Sequence, residues 1–284
     1  MSNKIKIIAD STCDLPKDVV EKYDITILPL YVVMDEKSYK DGVETTAQDL
    51  FDYSDRTKET PKTSAAPVTD FIDAFKPYAE QGYDIIYIGI SSGLSSTVQN
   101  ATIAAEEFDG VNIYAFDSLS LSTGIGLQVM LACELREQGL SAEEIVAKLE
   151  ETRPKVRASF VIDVMTYLHR GGRCTTLQAV GATMLNLKPQ IVVEDGKMRS
   201  AKKFRGNIIK SAVAYVNDTL ENIERIDDKR IFITYSLSDE ALVNAVKEAV
   251  EAKGYFKEIL TSDASSVISS HCGPNCIGIL FIEK

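Results

Sequence analysis

Asp84-Ile85-Ile86-Tyr87-Ile88-Gly89-Ile90 is an apolar run of strand length, and it breaks at once into Ser91-Ser92-Gly93-Leu94-Ser95-Ser96-Thr97, a loop of hydroxyls around one glycine. Over residues 97–107 apolar residues recur three and four apart, the period of a helix with one buried face. A second short apolar run at residues 112–116 closes the unit. Strand, helix and strand in that order specify parallel neighbours, because parallel strands need a long crossover between them.

The same rhythm extends outward. Residues 4–9 and 26–33 read as strands and residues 68–79 as an amphipathic helix. Residues 123–137 are apolar on almost every side, so a helix there is expected to be buried. Ser141-Ala142-Glu143-Glu144 reads as a capping box with Ser141 as N-cap and Glu144 reaching back, opening a helix that stops before Pro154.

Beyond Pro154 the rhythm changes. Residues 159–164 are strand-like, Gly171-Gly172 marks a turn, and residues 190–193 and 197–202 flank Glu194-Asp195-Gly196. An Asp-Gly pair between two short β runs is a hairpin signal, and such antiparallel pairing is not read in the first half. A helix at residues 207–221, a strand at 230–235, a helix at 239–253 and a strand at 276–282 follow. The expected class is α/β in two domains, residues 1–158 and 159–284, with no Pro/Gly/Ser linker to hold them apart. Their cleft is the default site.

The 284 residues are 45% hydrophobic and 26% charged, which suits a folded chain with a real core and excludes a disordered one. Acidic residues outnumber basic ones by 42 to 31, a net charge of -11, so nucleic acid is not expected as a partner. No stretch approaches the ~20 apolar residues of a spanning helix, and Met1-Ser2-Asn3-Lys4 leads straight into a strand rather than a signal peptide. With five scattered cysteines, an odd number, this points to the cytoplasm.

In a parallel sheet, ligands collect beyond the carboxyl ends of the strands, where helix N-termini offer free N–H groups. The loops expected there are dense in hydroxyls: Asp10-Ser11-Thr12-Cys13-Asp14, Ser91 to Thr97, and Asp117-Ser118-Leu119-Ser120-Leu121-Ser122-Thr123. Lys62-Thr63-Ser64-Ala65-Ala66-Pro67 adds two more before a helix. Each alone is an ordinary capping sequence; together they make a neutral socket for a carboxylate or phosphate.

Gly89-Ile90-Ser91-Ser92-Gly93 also fits G-x-S-x-G, and with His271 downstream it gives the alternative of a serine esterase or lipase-like hydrolase using Ser91 and His271. Against it, Leu94-Ser95-Ser96 separates the serine from its helix, and no oxyanion loop precedes it. His169, beside arginines, reads as a surface residue. Cys272 and Cys276 near His271 lack the paired spacings of a zinc site, and no metal or other cofactor is expected. Gly124-Ile125-Gly126 lacks the third glycine of a dinucleotide fingerprint and reads as close helix packing. Arg173 after Gly171-Gly172, and Arg205 in Lys203-Phe204-Arg205-Gly206, are basic spots that suit a phosphoryl oxygen.

In order along the chain, Asp10-Ser11-Thr12-Cys13-Asp14-Leu15-Pro16, Lys62-Thr63-Ser64, Ser91-Ser92-Gly93-Leu94-Ser95, Gln99-Asn100-Ala101, Asp117-Ser118, Arg170-Gly171-Gly172-Arg173, Lys188-Pro189 and His271-Cys272-Gly273-Pro274 resemble the motifs of the DegV family of bacterial fatty-acid-binding proteins, carrier subunits of fatty-acid kinase. The resemblance implies a first domain built as a three-layer sandwich on a parallel sheet and a second, two-layer domain on a mixed sheet. It implies a long-chain fatty acid, such as one of roughly C16–C18 length, bound between them. Its carboxylate would be held at Thr63 and Ser95, with Ser64 and Ser92 nearby. His271, Arg173 and Arg205 would assist phosphoryl transfer or docking of a separate ATP-dependent kinase, which makes acyl phosphate for phospholipid synthesis and admits transient contact with membrane enzymes. The carrier has no turnover of its own. The chain departs from the family pattern at Ser96, where Gly is common, at Ala65-Ala66, where Gln-Pro is common, and at Cys174, where an aliphatic residue is usual.

Overall fold

The computed structural model describes residues 4–174 and 187–284; Met1 to Asn3, read above as the lead-in to the first strand, lie outside the described residues. The first half contains β1 (Ile5–Asp10), α1 (Lys17–Lys22), β2 (Thr26–Leu28), β3 (Tyr31–Met34), β4 (Lys37–Lys40), α2 (Ala47–Thr57), β5 (Lys62–Ser64) and α3 (Val68–Ala79). It continues with β6 (Asp84–Gly89), α4 (Thr97–Ala105), β7 (Ile113–Asp117), α5 (Thr123–Glu137) and α6 (Ala142–Thr152). The second half contains β8 (Val156–Val161), α7 (Met165–Gly171), β9 (Leu187–Glu194), β10 (Lys197–Arg205), α8 (Ile208–Thr219), β11 (Ile226–Ser236), α9 (Glu240–Glu251), β12 (Glu258–Asp263), α10 (Ser266–Cys272) and β13 (Cys276–Glu283).

Four parallel strands lie in the order β2-β1-β6-β7. All of β6 is buried, as a central parallel strand covered on both faces must be. The second sheet is mixed, in the order β10-β9-β8-β13-β11-β12, with only β11 and β12 parallel. α8 and α9 cover one of its faces around Tyr215, Val216 and Val246. α5 packs on β1 and β6 of one sheet and on β8 and β13 of the other, which explains a helix apolar nearly all round.

Local signals hold where they are strong. The Ser141 hydroxyl accepts the Glu144 N–H at 3.3 Å while the Glu144 carboxylate accepts the Ser141 N–H at 2.8 Å. Asp195 (φ 48°) and Gly196 (φ 74°) make the β9–β10 turn, with the positive φ at both positions that a two-residue hairpin demands.

Three segments differ from their expected form. The run at residues 26–33 is two strands, because Pro29 has no N–H for the ladder; the chain leaves the parallel sheet after Leu28 and β3 pairs antiparallel with β4 and β5. Antiparallel pairing therefore exists in the first half too. β8 starts at Val156, where it pairs with Ile282, and not at residue 159. The segment around His271, for which the sequence predicts no regular element, is α10, capped by the Ser265 hydroxyl.

Candidate functional site

Asp10 organises the carboxyl edge of the parallel sheet. Its buried carboxylate accepts the Tyr87 hydroxyl at 2.7 Å, the Ile90 N–H at 2.9 Å and the Thr12 N–H at 3.0 Å, as well as the Thr12 hydroxyl. Burial pushes its pKa up, and these donors oppose the shift. The loops after β1 and β6 are thereby tied to one group.

Ser91 is fully buried and donates its hydroxyl to the Gly196 carbonyl at 2.8 Å, while accepting the Gly93 N–H at 3.1 Å. A Cβ on Gly93 would lie 2.6 Å from the Gly196 oxygen. G-x-S-x-G is thus the seat on which the β9–β10 turn docks. His271 does not meet Ser91; its Nε2 lies 3.0 Å from the Thr63 hydroxyl. The serine-hydrolase alternative is corrected accordingly, since a nucleophile needs its base within hydrogen-bond reach and an open path to substrate.

Thr63 reaches the site on β5, opposite Val32 of β3. His271 reaches it from the C-terminal end of α10, packed on α7 so closely that a Cβ on Gly171 would fall on its Nδ1. Arg173 donates to the Gly171 carbonyl at 2.6 Å, and Arg170 holds the approach to β5 through the Lys58 carbonyl at 3.2 Å and the Thr60 hydroxyl at 3.1 Å. Desolvation, reinforced by the Arg173 charge, lowers the His271 pKa from 6.5 to about 4, so the ring is neutral near pH 7. Nδ1 is buried without a hydrogen-bond partner. An unmade acceptor is cheaper there than an unmade donor, which favours the tautomer with the proton on Nε2. In that tautomer the Nε2 proton is donated to Thr63, which leaves the Thr63 hydroxyl hydrogen free for a ligand oxygen.

Two spaces meet at this pair. One is an apolar cavity of about 60 Å³, with Thr63, Ser64, Ser95, Arg173 and His271 at its polar end and Leu30, Ile90, Leu94, Leu121, Met198 and Ile268 among its walls. Leu121, Ile268 and Cys272 also border a further, narrower space of about 20 Å³ lined by Phe160 and Leu280. The other space is an open cleft of about 630 Å³ lined by Lys58, Lys62, Arg170 and Arg173, with Glu59, Thr63 and His271. Ser95 stands just ahead of α4, at the positive end of that helix, with its hydroxyl 2.7 Å from that of Thr97.

Of the residues expected here, Thr63, Ser64, Ser95, Arg173 and His271 come together. Ser92 is exposed, its N–H held by the Asp117 carboxylate at 3.2 Å, and it lines neither space. Arg205 is exposed at the end of β10 and likewise lines neither. No residue of α5 lines the cavity; Val267, Ile268 and Cys272 of α10 form that wall, a role hidden in the sequence because the segment was not read as a helix. Behind Ser95, Thr97 opens α4 as the last residue of the hydroxyl loop. Among the described residues no cluster of three or more His, Cys, Asp or Glu could hold a metal ion, and no helix is long and apolar enough to cross a membrane.

The DegV family model, described as "Uncharacterised protein, DegV family", matches residues 4–284. The chain belongs to the DegV family. A DegV domain-containing protein of Clostridium acetobutylicum is 34% identical over 281 residues, 99% of each chain. Among solved structures, a DegV family protein of Thermus thermophilus described as fatty acid binding superposes with a TM-score of 0.89 at 32% identity, covering 99% of this chain and 100% of that one. A stearic acid-binding protein of Eubacterium ventriosum gives 0.86 at 27% identity, covering 99% and 98%. The DegV proteins of Thermus thermophilus and Bacillus subtilis are described as fatty acid binding, and this chain shares their α/β fold, here with one parallel and one mixed sheet.

Proposed function

We propose that this chain is a fatty-acid carrier, holding one long-chain fatty acid between the domains formed by residues 1–158 and 159–284, with no turnover of its own. The observation that carries this reading is the junction of the apolar cavity with the basic cleft at Thr63, Arg173 and His271. The carboxylate rests on the hydroxyls of Thr63 and Ser95, with Ser64 beside them; the acyl chain runs past Leu121 and Ile268 toward Phe160 and Leu280. Burying ~14 methylenes at ~0.8 kcal/mol each contributes roughly 11 kcal/mol gross, enough for tight capture after ordering costs. A carboxylate beside that wall needs hydrogen-bond donors, and hydroxyls with a helix N-terminus supply them without a buried cation.

The same junction suits a step performed with a separate ATP-dependent fatty-acid kinase. A carboxylate oxygen attacks the γ-phosphorus, the bond to the ADP oxygen breaks with its electron pair leaving on ADP, and acyl phosphate remains on the carrier for phospholipid synthesis. Arg173, facing both spaces, offsets charge developing on the transferred group, and His271 orients Thr63. Arg205 serves instead as an exposed docking contact for the kinase. Mass spectrometry of lipid extracted from the purified chain tests the reading: a stoichiometric long-chain carboxylic acid is expected. Purified protein that neither carries nor takes up such an acid would remove it.

A further inference from the structure

His271 sits in the last turn of a helix whose first turn is gripped by two aspartic carboxyl groups from the other half of the chain. Asp14, in the loop after β1, accepts the Ser265 N–H at 2.9 Å and the Ser122 hydroxyl at 2.6 Å. Asp41, just after β4, accepts the Ser266 N–H at 2.8 Å and the Ser11 hydroxyl at 2.8 Å. Ser265 and Ser266 are the N-cap and first residue of α10. N–H groups that a helix cannot satisfy by itself are thus satisfied from across the cleft. The Ser262 hydroxyl adds a bond to the Asp14 carbonyl, and the Ser266 hydroxyl one to the Thr45 carbonyl at 3.4 Å.

Both carboxyl groups are buried, Asp14 with 5% and Asp41 with 2% of its surface exposed. Burial raises both pKa values, that of Asp14 to about 8, and no cation figures among the causes that offset it. Two buried carboxyl groups are an expensive way to cap a helix of seven residues whose own Ser265 hydroxyl already accepts an N–H. The expense is explained by what the helix carries. At ~1.5 Å per residue α10 is only about 10 Å long, so a tilt at its first turn is transmitted directly to His271.

We propose that Asp14 and Asp41 are positioning residues for the ligand. They fix α10 so that His271 meets Thr63 while Val267, Ile268 and Cys272 hold the cavity wall against the first half. The nature of the ligand rests on the fatty-acid reading above.

The test uses the full chain. It contains only two histidines, so His169, exposed on α7, is an internal reference in the imidazole ¹H–¹⁵N spectrum. Asp41→Ala is expected to move the His271 resonances, leave those of His169, and weaken palmitate retention about tenfold. Asp41→Asn, whose carbonyl can still accept the Ser266 N–H, is expected to recover most of both. Ser11→Ala removes the hydroxyl that orients Asp41 and that also accepts the Leu30 N–H at 3.1 Å; it should give the same His271 changes at smaller size, and it stays readable if Asp41→Ala does not fold. Unmoved His271 resonances with wild-type palmitate retention overturn the proposal, even if the melting temperature falls, because that pattern is plain stabilisation. If the wild-type chain itself fails to bind palmitate, the fatty-acid reading is what fails, while the His271 shift still decides the positioning.

Discussion

The apolar cavity and the basic cleft share Thr63, Arg173 and His271 and differ in every other lining residue. The cavity is walled by side chains from β- and α-elements of both halves, and whatever enters it is held by removal of apolar surface from water. The cleft is open, carries four cations and excludes little water, so it acts by charge on a ligand that stays solvated. One region therefore sets how tightly a ligand is held and the other what can be done to its exposed end. Changes confined to one should leave the work of the other intact.

The largest effect is expected at the constriction between the two chambers, where Leu121, Ile268 and Cys272 border both. Ile268→Trp fills that constriction and denies the acyl chain the inner chamber. If about six methylenes are turned back, roughly 5 kcal/mol of burial is lost at ~0.8 each. Retention of palmitate should collapse while that of a ten-carbon acid changes little, a contrast read by competitive displacement of a fluorescent fatty acid. Equal losses for both chain lengths would mean that the chambers do not form one path.

A smaller loss is expected at the polar end. Thr63→Ala and Ser95→Ala each remove a hydroxyl from the carboxylate socket and should cost roughly 1 to 3 kcal/mol of affinity, independent of chain length. Native mass spectrometry with palmitate and with its methyl ester separates the contributions, because the ester carries the same chain and no charge. Full lipid occupancy in the double variant would sink the head-group assignment.

The contrast between the two regions also marks what was legible in the sequence. β6, the Ser141–Glu144 capping box and the Asp195-Gly196 turn were readable because their signals lie within a few residues. The β3–β4 turn was not, because it places Asp35 (φ 47°) and Glu36 (φ 63°) where a glycine is usual, so the antiparallel sheet that delivers Thr63 carried no marker. α10 was hidden by its hydroxyls: Ser266, Ser269 and Ser270 compete for backbone hydrogen bonds and give little helical period. Thr63, Ser95, Arg173 and His271 were named through family motifs, but the grip of Asp14 on Ser265, across 251 residues, and of Asp41 on Ser266, across 225, depends on contacts no local pattern encodes. Ser92 shares the motif of Ser95 and still lies exposed, since a loop motif does not specify which of its side chains turns inward, while Arg205 ends β10 outside both spaces.

The subtlest expected effect lies at the shared residues. Arg173→Ala should leave palmitate retention within about twofold of wild type, since an exposed cation contributes little to a chain held by burial, yet slow phosphorylation by the kinase. It should also change the acid limb of stability. His271 is held below its ordinary 6.5, at about 4, first by desolvation and second by the Arg173 charge. A depressed pKa in the folded state means that the neutral ring's stabilisation is complete above pH 6.5 and is lost as pH falls through about 4. Removing Arg173 takes away only the second cause, so the His271 titration should move upward by part of the gap; the acid loss still begins as pH falls below 6.5 but ends at a higher pH and is smaller in total. A one-dimensional titration of the His271 imidazole follows this directly. A His271 midpoint identical in the variant and the wild type would show that Arg173 exerts no field on the ring, and with it would go the reason for placing Arg173 in the phosphoryl step.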